Sequence, residues 1–172
     1  MTDAEFWNDK LILAVDDEQD VLETISDLLP QSGLVLHTAG TFDQARQLLA
    51  SYSYDLVILD IMGVQGFELL KIAEAHKFPV VMLTAHAVNP EALKNSIELG
   101  ARAYLPKDMI DSLVPFLEDV MKLTYQSAWK KAFDVIGSLF DEKFGSDWRK
   151  SEETFWKDFQ ETLSLEDGAI LK

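Results

Sequence analysis

An α/β fold is predicted for this 172-residue chain: a doubly wound five-stranded parallel sheet carrying a C-terminal α-helical extension. Three features predict it. Between Leu11 and about Leu123, five short β-rich runs alternate with stretches of helical periodicity, the pattern of consecutive βαβ units. Three of those runs are almost wholly apolar, as strands covered on both faces must be. After Thr124 no strand pattern follows and aromatic residues become frequent. The chain therefore divides into an N-terminal segment 1–9, an α/β domain 10–124 and a helical extension 125–172.

The first strand reads LILAV at 11–15. Val21, Leu22, Ile25, Leu28 and Leu29 then recur at helical spacing and stop at Pro30 and Gly33. The second strand is placed at 34–38 (LVLHT). Thr41 followed by Gln44 has the spacing of a capping box, with Ala45, Leu48 and Leu49 on the buried face behind it. The third strand, LVIL at 56–59, runs straight into Asp60. A short loop holding Gly63 and Gly66 leads to a helix whose apolar residues are Phe67, Leu70 and Ala73. The fourth strand is VVML at 80–83. Asn89 and Pro90 supply an N-cap and a first-turn proline to a helix that ends at Gly100. The fifth strand is RAYL at 102–105. The next helix begins near Asp111 or Ser112, because Pro115 fits a first turn but not a later one, and it buries Leu113, Leu117 and Val120. In the extension, helices are predicted near 125–144 and 147–164, broken at Gly145. Residues 126–172 hold eight of the 18 aromatic residues.

The net charge of -15, from 30 acidic and 15 basic residues, disfavours phosphate backbones and anionic membranes, so neither nucleic acid nor membrane is an expected partner. The absence of cysteine excludes disulfides and thiolate metal sites. The opening MTDAEFWND has no basic and apolar signal pattern, and no apolar run approaches the ~18 residues of a membrane span. A cytoplasmic protein is expected.

In an open parallel sheet, ligands bind where the strands release their carboxyl ends. Asp16 and Asp17 follow the first strand, Asp60 the third, Thr84 the fourth and Lys107 the fifth, so all five fall on one edge. Three carboxylates in one crevice repel each other, and a divalent cation relieves this. An all-oxygen set with few protein ligands suits Mg²⁺ and leaves room for a phosphoryl oxygen, which Lys107 and Thr84 could also meet. Such a site is suited to phosphoryl transfer.

These residues stand in segments that resemble the receiver domain of bacterial two-component response regulators: LILAVDDE at 11–18, LVILDIM at 56–62, VVMLTA at 80–85 and GARAYLPK at 100–107. The resemblance spans residues 10–123 and implies a flavodoxin-like sheet of order 2-1-3-4-5. It implies that Asp60 is the phosphoacceptor, taking a phosphoryl group from a sensor histidine kinase or a small phosphodonor. Asp17, Asp60 and the main-chain carbonyl of Met62 would bind Mg²⁺, with Asp16 reaching it through water. Lys107 would hold a phosphoryl oxygen, Thr84 would turn toward it, and Ala85 would leave access. Tyr104 would change rotamer and report the state to the surface of the fourth helix, fifth strand and fifth helix. The loop IMGVQG at 61–66 is shorter than the family's and lacks its proline, and Asp108 rather than proline follows Lys107.

Glu18 reads as a carboxylate at a helix start. His37, His76 and His86 are isolated and read as structural. The extension has seven basic and ten acidic residues and no histidine, so neither a DNA-reading helix nor a phosphotransfer histidine is expected there. Trp129, Phe133, Ile136 and Phe140 stand at helical spacing and must be buried against the α/β domain, a second copy or an effector; the sequence leaves these three open. The expected function is a phosphorylation-dependent switch, not a dedicated enzyme, acting through a homodimer or an effector. A phosphate sink or phosphatase-like receiver, and an unphosphorylated receiver acting as a binding module, are the alternatives.

Overall fold

The computed structural model describes residues 3–31, 33–85 and 88–164. Five parallel strands, β1 (Leu11–Val15), β2 (Val35–Ala39), β3 (Leu56–Leu59), β4 (Val80–Thr84) and β5 (Ala103–Pro106), form one sheet in the order β2-β1-β3-β4-β5. This is the predicted topology. β1, β3 and β4 are buried almost throughout, which is why their sequences do not alternate. Five strand limits differ from expectation by one residue: β2 runs 35–39 rather than 34–38, β4 ends at 84 rather than 83, and β5 runs 103–106 rather than 102–105. Leu34 is apolar and precedes β2, but pairing begins with Leu11 beside Val35. The fourth strand extends to Thr84 and the fifth begins at Ala103, after the Arg102 amide has bonded to Val80.

Helices α1 (Asp3–Trp7), α2 (Gln19–Leu28), α3 (Phe42–Ser51), α4 (Gly66–Ala75), α5 (Pro90–Glu98) and α6 (Leu113–Lys122) surround the sheet. The Thr41 side chain caps α3 by accepting from the Gln44 amide. The return bond of the predicted capping box lands one residue early, because Gln44 Oε1 accepts from the Gly40 amide. Asn89 caps α5, with Pro90 in its first turn. A six-residue 3₁₀ segment, Lys107–Ser112, precedes α6 and leaves Pro115 in the first turn of that helix. Helix α1 lies in the N-terminal segment, for which the sequence predicts no element. Its Trp7 is fully buried and donates from Nε1 to Glu118 Oε1 of α6 at 2.7 Å, tying the N-terminal segment to the core.

The extension folds as α7 (Tyr125–Phe144) and α8 (Glu153–Ser164), joined through Gly145 (φ +80°) and a short 3₁₀ turn, Lys150–Glu152. The open question of where it buries its aromatics is answered by its own chain. Trp129, Ala132, Ile136 and Phe140 form one stripe along α7, each fully buried. The stripe lies across β5: Trp129 Nε1 donates to the Ala101 carbonyl at 3.0 Å, and the Phe140 ring meets Tyr104 edge-on at 6.2 Å. Helix α8 packs back on α7 through Phe133, Trp156 and Phe159, and Lys94 of α5 pairs with Glu152 at 3.0 Å. One hydrophobic core therefore runs from Trp7 through the sheet to Leu163. No helix among the described residues is long and apolar enough to cross a membrane.

Candidate functional site

At the carboxyl edge of the sheet, β1 delivers Asp16, β3 delivers Asp60 and β4 delivers Thr84, and all three are buried. Lys107, just past β5, reaches across to the carboxylates: its Nζ lies 2.6 Å from Asp16 Oδ2, 3.4 Å from Asp60 Oδ2 and 3.3 Å from Glu18 Oε1. Asp108 in place of proline does not displace this lysine. Asp17 is exposed beside them. Tyr104 sits one strand position before Leu105, fully buried and turned under α7 rather than toward solvent. Ala85 is exposed at the end of β4, and His86 lies outside the described residues.

Glu18 is the residue that sequence reasoning undervalued. It occupies the position before α2 without making a side-chain cap, and its carboxylate faces Lys107. Asp16, Asp17 and Glu18 each offer an oxygen within 4.8 Å of the others, a set that does not include Asp60. The signal was present as three consecutive acidic residues after a buried strand. An all-oxygen cluster open on one side fits a Mg²⁺ that retains water ligands. Gly63, at φ +84°, lets the loop main chain abut the Asp17 carboxylate, since a Cβ there would overlap it. This places the backbone beside Met62 next to the acidic cluster.

The short loop after Asp60 is closed by two main-chain amides, one donating to a side chain and one to a carbonyl. The Ile61 amide donates to Asp60 Oδ1 at 2.9 Å, and the Gly66 amide donates to the Ile61 carbonyl at 2.9 Å. Gln65 adopts a left-handed conformation (φ +53°) so that α4 can start immediately. A Cβ on Gly66 would overlap the Asp60 carbonyl oxygen, so glycine there permits the tight closure. Gly66→Ala is expected to destabilise the protein by about 3 kcal/mol, since the obstacle is backbone that cannot turn away. Urea unfolding checks this, and a midpoint equal to that of the parent would refute the close approach.

Burial raises the pKa of Asp60 above the usual carboxylate range, and the neighbouring Asp16 adds to it, while Lys107 opposes. Asp16 is raised for the same first reason, against the pull of Lys107 and the Glu18 amide. Burial alone would lower Lys107, but the surrounding carboxylates outweigh it and hold the lysine charged. Thr84 Oγ1 is buried and closes no full hydrogen bond among the described residues, though it stands near enough to Asp60 to favour its charged form. A buried hydroxyl without a full partner is costly, so a further acceptor oxygen beside Thr84 would be favourable.

A stability trend follows from these shifts. Carboxylates raised in the folded state bind more protons there than in the unfolded chain. Their contribution is full below the ordinary value of 3.8 and is lost as pH rises through the raised pKa. In EDTA, the urea midpoint should fall from about pH 4 upward, and Asp60→Asn should flatten the fall. Mg²⁺ should restore more stability at the upper end of that range than at the lower. A parent and an Asp60→Asn profile of equal slope would contradict the assignment.

The profile of a family described as the response regulator receiver domain matches residues 12–114. Among curated proteins, a transcriptional regulatory protein CpxR homolog of Haemophilus influenzae is 39% identical over 103 residues, covering 58% of this chain and 44% of that protein. The phosphate regulon transcriptional regulatory protein PhoB of Klebsiella pneumoniae is 31% identical over 137 residues, covering 76% of this chain and 59% of that one. The chain thus spans about half the length of these relatives. A response regulator receiver protein from Burkholderia phymatum is similar in structure, with 29% identity and a TM-score of 0.58 over 67% of this chain and 97% of that one.

Proposed function

Because this chain belongs to the response regulator receiver family, whose members serve phosphorylation-dependent signalling, we propose that Asp60 accepts a phosphoryl group from a sensor histidine kinase and that the helical extension carries the resulting state outward. The observation that carries this reading is Asp60 itself: a buried carboxylate at a strand end, beside a charged lysine and an unmatched hydroxyl.

In the transfer, an oxygen of Asp60 forms a bond to phosphorus as the bond from phosphorus to the donor nitrogen breaks, and the donor ring, already protonated on its other nitrogen, leaves as neutral imidazole. Asp60 Oδ1 is already occupied by the Ile61 amide, which leaves Oδ2, on the Lys107 side, as the attacking atom. Lys107 opposes the burial that raises the Asp60 pKa and then pairs with a phosphoryl oxygen. Thr84, unmatched beforehand, donates to another. A Mg²⁺ held by Asp17, Asp60 and the Met62 main-chain carbonyl, with Asp16 through water and Glu18 nearby, would neutralise charge on the transferred group.

The route outward runs through Tyr104. Its ring is two residues from Pro106, which pairs with Thr84, and it faces Phe140 of α7. Movement of Thr84 toward a phosphoryl oxygen would be passed along β5, whose Pro106 it pairs with, and any shift of the Tyr104 ring would be felt by Phe140. On the surface to which the resemblance has Tyr104 report, β5 and α6 carry the chain's own α7, so a dimer or effector contact is made with the extension in place or after it shifts. Intact mass after incubation with Mg²⁺ and acetyl phosphate tests the first step. Hydrogen exchange of α7 with and without the modification tests the second, and unchanged exchange would remove the extension from the output.

A further inference from the structure

A groove of about 380 Å³ lies between α7 and α8, far in sequence from the carboxylate site. Its apolar lining is Phe133, Trp156, Phe159 and Leu163, and the rings of the first three meet one another at 5.8 to 6.3 Å. Its rim is basic. Lys130 and Arg149 line it, and a shallower depression beside it shares Arg149 and adds Lys150 and Lys157. Together these two surfaces hold four cations against two carboxylates, Asp134 and Glu153, in a chain whose net charge is -15. Lys130, Arg149 and Lys157 make no ion pair among the described residues. Arg149 is poised over aromatic faces, 4.3 Å from the Trp148 ring and 5.9 Å from that of Phe133, and its buried Nε has no hydrogen-bond partner among the described residues.

We propose that this groove binds an acidic amphipathic helix of a protein partner, the helix lying between α7 and α8 as the third member of a bundle. Two helices of 20 and 12 residues with an aromatic seam between them offer the geometry of helix-in-groove recognition, in which apolar side chains at i, i+4 and i+7 fill the seam. Charge complementarity selects the sign of the partner. Charge interactions are screened out beyond roughly 8 Å at physiological salt, so the unpaired rim cations, not the distant carboxylates of the receiver, set the field that a docked helix meets. Trp and Arg at the centre and edge of the groove are the residue types that dominate such contacts. The extension is then a docking element as well as a cover for β5.

The test uses the full chain and a labelled synthetic peptide with leucines at i, i+4 and i+7 flanked by glutamates, read by fluorescence polarisation. Saturable binding is expected, weakening with salt and falling about tenfold in the double variant Lys130→Glu, Lys157→Glu. Both residues are exposed, so circular dichroism of that variant should match the parent. A peptide with lysines in place of the glutamates should not bind. The proposal is overturned by no saturable binding, by equal binding of the two peptides, or by equal affinity in parent and variant. It is also overturned if the groove proves filled by a second copy, seen as a dimer that the double variant abolishes, or if the peptide binds only after residues 165–172 are removed.

Discussion

Asp60→Asn protein incubated with Mg²⁺ and acetyl phosphate should gain no mass, where the parent gains one phosphoryl group per chain. The expected loss in initial rate is at least on the order of 10³, because the amide has no nucleophilic oxygen of comparable basicity and no other side chain is placed to replace it. Asp16 is the obvious substitute, since it is equally buried, yet its Oδ2 is held by Lys107 at 2.6 Å and its other oxygen accepts from the Glu18 amide. Asp17 and Glu18 are exposed, without the burial that sets Asp60 apart. Lys107→Ala separates holding from accepting. It leaves Asp16 and Asp60 facing each other with no cation between them, so uptake should fall by roughly 10² to 10³, with the modified carboxylate still Asp60 by peptide mapping. A mass gain on Asp60→Asn equal to that of the parent would sink the acceptor assignment, whatever the fate of the extension.

The site was legible in the sequence because parallel topology does the convergence. Once LILAV, LVIL, VVML and RAYL are strands of one parallel sheet, whatever follows each of them lies on one edge. The helix caps at Thr41 and Asn89 were legible for the opposite reason, being contacts between residues three apart. What escaped was long-range. The five residues of α1 are too few to show a period, and Trp7 finds Glu118 across 111 residues. Glu18 reads as a helix-start acid until Lys107, 89 residues on, arrives beside it. The stripe of Trp129, Ala132, Ile136 and Phe140 announces a buried face, but an amphipathic period carries no information about what buries it. Only the meeting of that stripe with β5 shows that the extension is part of the receiver's own core.

That shared core makes Trp129→Ala the most damaging single change expected in the extension. The side chain is fully buried against β5 and Phe159, so removing it should cost about 4 kcal/mol, a large share of the roughly 5 to 15 kcal/mol that holds a domain folded. Trp129→Phe divides the cost. It keeps a ring in the seam and removes only the donor to the Ala101 carbonyl, so about 1 to 2 kcal/mol should go with that bond. Urea unfolding followed by the remaining tryptophans gives both numbers, and a shift under about 1 kcal/mol for Trp129→Ala would mean that α7 is not held on the sheet. The shape of the transition carries the second half of the argument. If α7, α8 and the sheet form one cooperative unit, signals from Trp7 on α1 and Trp156 on α8 should lose their native environment together in the parent. With the anchor gone, the extension should release first and the curve should split in two. A phosphoryl group at Asp60 that loosens the same contact through Tyr104 and Phe140 would then move the early phase alone, which distinguishes a signal passing through the extension from one that merely perturbs the receiver.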